Sequence, residues 1–260
     1  MIRRRQFITL LGGAAAAWPL AVRAQQTGGG RRIGVLMAAA ATDTVRQSAL
    51  AAFFQELREL GWTEGQNLRI DVRWNPGDAE VGRLYAAQLI GLMPDVILAA
   101  GTTNLTVIRQ GTSTVPIVFL QVSDPVAQGF VASLTHPGGN LTGISDNEFS
   151  IGGKWLGLLK EAAPGLARVA VMFNPDTSPQ SQFYLRSIET AAPRLDVQVS
   201  AVAIHSPAEI EPALAGFARQ PNGGLILPTD TFIGLHQTLI ADLAAHVPQS
   251  FLLRADEVIE

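Results

Sequence analysis

Polar residues that could hold a small charged molecule follow an apolar run ending near residue 99. Thr102, Thr103 and Asn104 come directly after Gly101, and a helix is predicted to begin at Asn104 or Leu105. The free N–H groups of a helix N-terminus carry about half a positive charge, which suits a carboxylate. We therefore predict that these three residues contact a ligand carboxylate. The alternative is that Thr103 only caps the helix.

A second polar segment, Ser123 and Asp124, follows the next apolar run. At the end of a strand, Asp124 could pair with a ligand ammonium group, with Ser123 beside it. The alternative is a local turn before Pro125, because aspartate side chains often hydrogen-bond to the backbone of turns. Both interpretations remain open from the sequence.

Two polar segments in the second half of the chain also follow apolar runs. One contains Asn174 and Asp176, and the other contains Thr229 and Asp230. We predict that these four residues face the first two segments across a cleft. The alternative is that both segments cap the helices that follow them. The four histidines lack metal-ligand spacing, so neither a metal nor a cofactor is predicted.

The elements that must position these residues alternate between short apolar runs and longer helical segments. This alternation is the pattern of βαβ units and a parallel sheet. The predicted strands are residues 33–38, 68–74, 96–99, 117–120, 141–145, 168–173, 198–203 and 224–227.

Local signals predict where three of the helices begin, end and bury their side chains. Thr42 or Asp43 caps the first helix, and Gly61 ends it. Ser178 caps another helix, with Pro179 in its first turn. A third helix buries a stripe of residues at helical spacing, namely Trp155, Leu158, Leu159 and Ala162.

The alternation runs twice, with a break near residues 136–153 that is rich in turn-forming residues. The predicted fold class is therefore α/β, with two doubly wound parallel-sheet lobes joined by a hinge. The N-terminal lobe is predicted over residues 32–145 and the C-terminal lobe over residues 146–260. Ligands of such sheets bind at the carboxyl ends of the strands, which here would face a cleft between the lobes.

The first 26 residues have the layout of a signal peptide. A basic start precedes an apolar stretch too short for a membrane span, and Val22-Arg23-Ala24 fits a small-residue cleavage site. Arg4-Arg5-Gln6-Phe7-Ile8 fits the twin-arginine export pattern. We predict export to the periplasm by the twin-arginine translocase, cleavage near Ala24, and a flexible linker over residues 27–31. The alternative is a basic amphipathic helix that is retained.

Composition limits the partners that a mature chain would have. The chain contains 19 Lys and Arg against 22 Asp and Glu, and four of the arginines lie in the predicted signal. The acidic remainder is unsuited to nucleic acid, so no nucleic-acid partner is predicted. There is no cysteine, which excludes disulfides and the acceptor of a lipid anchor.

An enzyme on the same architecture is the main rival function, because doubly wound sheets host many chemistries. The glycines at 28–30 precede the first strand, so they cannot form a dinucleotide loop, and no Gly-x-Ser-x-Gly elbow occurs. We therefore predict a chain that is not an enzyme. A sugar-responsive transcription regulator is a second rival, but residues 1–31 are too short for a DNA-binding headpiece.

Several ordered segments resemble one known family. They include Ser123-Asp124-Pro125-Val126 and His-Pro-Gly-Gly-Asn-Leu-Thr-Gly at 136–143. The others are residues 54–57, 60–62, 129–134, 153–156, 174–177 and 221–225. Together they resemble the ABC-transporter substrate-binding family typified by tryptophan and tyrosine uptake proteins, which has a type I periplasmic-binding-protein fold.

This resemblance implies a receptor that closes around an amino acid or a related small acid and delivers it to ABC permease subunits in the inner membrane. Thr102, Thr103 and Asn104 would take the ligand carboxylate, and Asp124 the ammonium group. Members of the family run considerably further and return to the first lobe after a strand corresponding to residues 250–253. We therefore expect the last part of the first lobe to be missing, which leaves a truncated, non-functional receptor as a further alternative.

Overall fold

The computed structural model describes residues 30–245. The predicted signal peptide, its cleavage site, most of the predicted linker and residues 246–260 lie outside the described residues. No helix within the described range is long and apolar enough to cross a membrane.

Eight strands form two separate parallel sheets in the described part of the chain. The first sheet has the order β2-β1-β3-β4-β5 and the second has the order β7-β6-β8. The strands are β1 (Arg31–Met37), β2 (Leu68–Trp74), β3 (Val96–Ala100), β4 (Ile117–Val122), β5 (Leu141–Ser145), β6 (Arg168–Phe173), β7 (Gln198–Ala203) and β8 (Gly223–Ile226). All eight predicted strands are confirmed, although β1 begins at Arg31, inside the predicted linker.

Seven α-helices and one short 3-10 helix accompany these strands over residues 30–245. The helices are α1 (Thr44–Glu59), α2 (Ala79–Gly91), α3 (Thr102–Gly111), α4 (Ile151–Ala162), α5 (Ser181–Leu195), α6 (Ile210–Ala218) and α7 (Thr231–Ala245), and the 3-10 helix is Pro207–Glu209. The two parallel sheets with helical connections confirm the predicted fold class of two doubly wound lobes.

Each lobe has its own apolar core. In the first lobe, Leu89, Ile97 and Phe119 are buried between the sheet and helices α2 and α3. In the second lobe, Leu156, Val169 and Ile188 are buried between the sheet and helices α4 and α5. Helices cover parallel sheets on both faces, so their strands have apolar residues on both faces. Such strands form continuous apolar runs, which is why they could be predicted from the sequence.

The boundaries of the first helix follow the predicted signals. The Asp43 side chain accepts a hydrogen bond from the N–H of Arg46, which caps α1. The helix ends at the cap residue Leu60, and Gly61 follows with φ of 87°, a backbone conformation that glycine adopts without a steric penalty.

Two helix predictions are wrong in detail. In α4, Leu158 is 63% exposed and Ala162 is also exposed, whereas Leu156 is fully buried. The buried face is set by close packing against α5, where Gly152 lies beside the carbonyl of Tyr184. The α5 helix begins at Ser181, because Ser178 opens a preceding turn and its hydroxyl bonds to that of Ser181 at 2.8 Å.

Candidate functional site

A cavity of about 460 Å³ lies where the strand ends of the two sheets face each other. The edge of the first sheet lines it with Ala38 and Ala39 after β1, Gly101 after β3, Gln121 near the end of β4, and Asp146 just after β5. The start of α1 and the segment from Thr229 into α7 complete the wall. This is the position at which open parallel sheets bind ligands.

Four charged residues line the cavity: Asp43, Arg46, Asp146 and Asp230. Gln121 lies among them with φ of 54°, in the left-handed region that a non-glycine residue adopts only under constraint. The pairing of β4 with β5 is irregular at this point. Irregular backbone of this kind is common next to functional sites, because it redirects a side chain.

The N-terminus of α3 reaches the cavity through Gly101, but two of the predicted residues lie beneath it. The helix begins at Thr102, two or three residues earlier than predicted, and Gly101 is its cap residue. Thr102 is buried and its hydroxyl accepts from the N–H of Ser123. Asn104 is also buried, and its side chain donates to the Ala100 carbonyl and accepts from Asn75. Both side chains are thus hydrogen-bonded within the first lobe.

Thr103 does not cap α3, contrary to the alternative interpretation of the sequence. Its hydroxyl donates to the carbonyl of Thr177 in the second lobe, at 2.7 Å. Gly77 also lies close to the second lobe. A Cβ atom placed on it would be 3.1 Å from the Thr177 side chain and 3.4 Å from Cβ of Thr231. These two contacts hold the loops after β2 and β3 against the second lobe.

Asp124 connects its own turn to the segment after β5 that leads into the second lobe. Its carboxylate accepts from the N–H of Ala127 and from the N–H of Phe149, at 3.0 and 3.2 Å. Its own N–H donates to the carbonyl of Asn147 at 2.7 Å. Phe149 is buried against the rings of Phe183 and Tyr184. The structure therefore places Asp124 in a turn that anchors the hinge segment.

The polar residues after β6 and β8 organise one another. Asp230 is buried and accepts from the Asn174 N–H, the Thr177 hydroxyl and the Phe232 N–H, so it caps α7. Burial raises the pKa of Asp230, and these three hydrogen bonds oppose the rise. The Asn174 side chain accepts from the N–H of Asp176. The Asp176 carboxylate faces away toward His205, at 2.6 Å, and this contact raises the pKa of the exposed histidine.

Tyr184 on α5 is fully buried. Burial raises the pKa of its hydroxyl, while the nearby side chains of Ser123 and Thr229 oppose that rise. The fully buried hydroxyl has no hydrogen-bond partner among residues 30–245. The side-chain amide oxygen of Gln180, the cap residue of α5, is likewise buried without a hydrogen-bond partner in that range.

The structure brings together only part of the predicted site. Thr229 and Asp230 line the cavity, whereas the side chains of Thr102, Asn104, Asn174 and Asp124 hydrogen-bond within the surrounding loops. Arg46, Gln121 and Asp146 also line the cavity, although they were not predicted from the sequence. Asp146 directly follows β5 and would have been found by applying the strand-end rule to that strand as well.

A second, more apolar cavity of about 420 Å³ adjoins the first on the α1 face of the first sheet. Leu50 and Phe53 of α1 form one side, and Leu98 and Leu120 of the sheet form the other. Arg46, Gln121 and Asp146 line both cavities. These three residues therefore lie at the boundary between a polar cleft and an apolar groove.

Within the described range, no group of acidic residues or histidines is arranged to hold a metal ion.

Comparison with known sequences decides the family. The sequence pattern of the family described as ABC transporter substrate binding protein matches residues 35–246. The chain belongs to this family. A tyrosine-binding protein of Clostridioides difficile is 28% identical over 196 residues, which cover 75% of this chain. The chain spans 56% of the length of that relative.

Solved structures of periplasmic-binding-protein type share the fold of this ABC substrate-binding family member. A conserved domain protein of Vibrio cholerae has a TM-score of 0.72 at 22% identity, and the match covers 84% of this chain and 71% of that one. A Streptococcus pneumonia protein in complex with L-Trp has a TM-score of 0.68 at 21% identity, over 85% of this chain and 72% of that one. These likenesses confirm the type I periplasmic-binding-protein fold.

Proposed function

We propose that this chain is the periplasmic receptor of an ABC importer, which binds an amino acid in the cavity between the lobes and delivers it to the permease. The observation that carries the proposal is the cavity itself. It is lined by strand ends of both sheets, the place where this architecture accepts small ligands. Its volume of about 460 Å³ lies within the usual range of ligand pockets.

Two relatives support an amino acid as the ligand class. One is named for tyrosine and the other was solved with L-Trp. The polar lining of the cavity suits an amino acid better than an uncharged ligand, because charged groups need charged or strongly polar partners when water is excluded. All nine site residues were predicted from the sequence to bind the ligand, but only Thr229 and Asp230 line the proposed ligand cavity. Asp176 faces His205 instead. In this proposal the remaining residues hold the surrounding loops in place, namely Thr102, Thr103, Asn104, Ser123, Asp124 and Asn174.

A thermal-shift screen of the purified chain against the twenty common amino acids tests the proposal. A ligand present at 100 times its Kd stabilises the folded state by about 2.7 kcal/mol. For a chain of this size, that corresponds to a rise in Tm of roughly 5–10 °C. We expect such a rise with a small subset of the amino acids. Unchanged Tm values with all twenty, at millimolar concentrations, would contradict amino-acid binding.

Export through the twin-arginine route is part of the same proposal, with a signal over residues 1–26 and cleavage near Ala24. Changing both Arg4 and Arg5 to lysine keeps the charge and removes the guanidinium pair that the export pattern specifies. We expect processed protein in the periplasmic fraction for the parent chain, and unprocessed cytoplasmic protein for the double variant. Arg3→Lys is the matched control. Equal periplasmic amounts of parent and double variant would contradict this route.

A further inference from the structure

The charges around the cavity do not balance. Among the described residues that line it, Arg46 is the one basic side chain, while Asp43, Asp146 and Asp230 are acidic. A simple organic anion would add negative charge to a cleft that already carries an excess of it. A ligand that also carries a positive group suits this lining better.

Two of the three carboxylates already have structural partners. Asp43 accepts from the backbone of α1, and Asp230 receives three hydrogen bonds. The third, Asp146, bonds through its backbone N–H to the Val122 carbonyl, but its carboxylate has no hydrogen bond or ion pair with residues 30–245. Asp146 directly follows β5, at the edge of the first sheet that lines the cavity, and its side chain is exposed.

The Arg46 guanidinium is also unpaired within the described range. Its backbone N–H bonds to Asp43, but no carboxylate lies within 4.0 Å of its side chain. The side chain is half-buried, so a carboxylate that reaches it would be partly shielded from water. Gly101, the cap residue of α3, lines the same cavity and adds the partial positive charge of a helix N-terminus.

An unpaired cation and an unpaired carboxylate therefore line one cavity without contacting each other. We propose that Arg46 and Asp146 select a zwitterionic head group, with Arg46 binding the carboxylate and Asp146 the ammonium group of an α-amino acid. This inference rests on the proposed receptor function and names the residues that distinguish an amino acid from an organic acid or an amine. An arginine guanidinium can donate two parallel hydrogen bonds to a carboxylate. An aspartate carboxylate can accept several hydrogen bonds from the N–H groups of an ammonium.

Calorimetric titration with three matched ligands tests the assignment. They are L-tyrosine, tyramine, which lacks the carboxylate, and 3-(4-hydroxyphenyl)propionate, which lacks the ammonium group. If the thermal-shift screen selects another amino acid, that amino acid and its two analogues replace them. Asp146→Asn should weaken binding of the amino acid about 10- to 100-fold and leave binding of the propionate unchanged or improved. Arg46→Met should weaken the amino acid similarly and leave the amine unchanged.

Arg58→Met on α1 and Glu148→Gln beyond β5 are the controls, since both residues are exposed and neither lines the cavity. Both control variants should bind like the parent. Equal losses for all three ligands, or unchanged ratios between them, would overturn the head-group assignment even though the parent binds an amino acid. If the parent itself binds none of the twenty amino acids, the proposed function fails instead.

Discussion

Gly234→Trp should abolish ligand binding while the protein stays folded. Gly234 lines the cavity from α7, and a Cβ atom placed on it meets no atom within 4 Å. An indole there would occupy the space that the ligand needs. Tryptophan also has a higher helix propensity than glycine, by roughly 0.3–0.5 kcal/mol, so the free energy of unfolding should not fall. Calorimetric titration should show at least about a 100-fold loss of affinity, equivalent to roughly 2.7 kcal/mol.

The matched control for this variant is Gly216→Trp. Gly216 lies in α6, has the same open surroundings, and does not line the cavity. We expect Gly216→Trp to bind ligand with the affinity of the parent and to unfold at a similar urea concentration. Parental affinity in a folded Gly234→Trp protein would show that the ligand binds elsewhere.

Gly77→Leu should weaken ligand binding by preventing the lobes from meeting. Gly77 has φ of 106°, and a Cβ atom there would lie 3.1 Å from the Thr177 side chain across the cleft. The longer leucine side chain would be accommodated only if the second lobe moved away. A ligand that needs both lobes binds less tightly when the closed state is less populated, in proportion to that population. We expect at least about a tenfold loss of affinity and a larger radius of gyration with ligand present.

Gly65→Leu is the control variant that distinguishes the effect of backbone strain from the effect of obstructing the cleft. Gly65 also has positive φ, 80°, but a Cβ atom there meets nothing within 4 Å. Both variants should lose stability, by roughly 1–2 kcal/mol from the left-handed conformation. Only Gly77→Leu should lose affinity. Equal affinities of the two variants would contradict a closing contact at Gly77.

The sheets could be predicted from the sequence because their strands are covered on both faces. Strands such as β6 and β3 read as continuous apolar runs, and the loops that join them carry clear turn and cap residues such as Asp43 and Gly61. The buried face of α4 could not be predicted in the same way. Leu156 and Leu158 are equally apolar, and only the position of α5 decides which of them is buried.

The sequence predicted the edge of the sheets at which the cavity lies, but it did not predict most of the residues that line the cavity. The strand-end rule pointed to Thr229 and Asp230, which follow β8 and line the cavity. It could not distinguish residues that face the cavity from those that build its walls. Asp124 and Asn104 both follow strands, yet their side chains bond to nearby loop and strand groups. Arg46 could not be predicted in this way, because it lies in the first turn of α1. The spacing of residues in a helix does not indicate which charged side chains have no ion-pair partner.

A crystal structure of the chain with the amino acid that gives the largest rise in Tm tests the central claim most directly. We expect one ligand in the cavity between the lobes, with its carboxylate on Arg46 and its ammonium group on Asp146. The Thr103 and Gly77 contacts should be retained across the cleft. A ligand bound in the apolar groove beneath α1, or outside both cavities, would contradict binding in the cavity between the lobes.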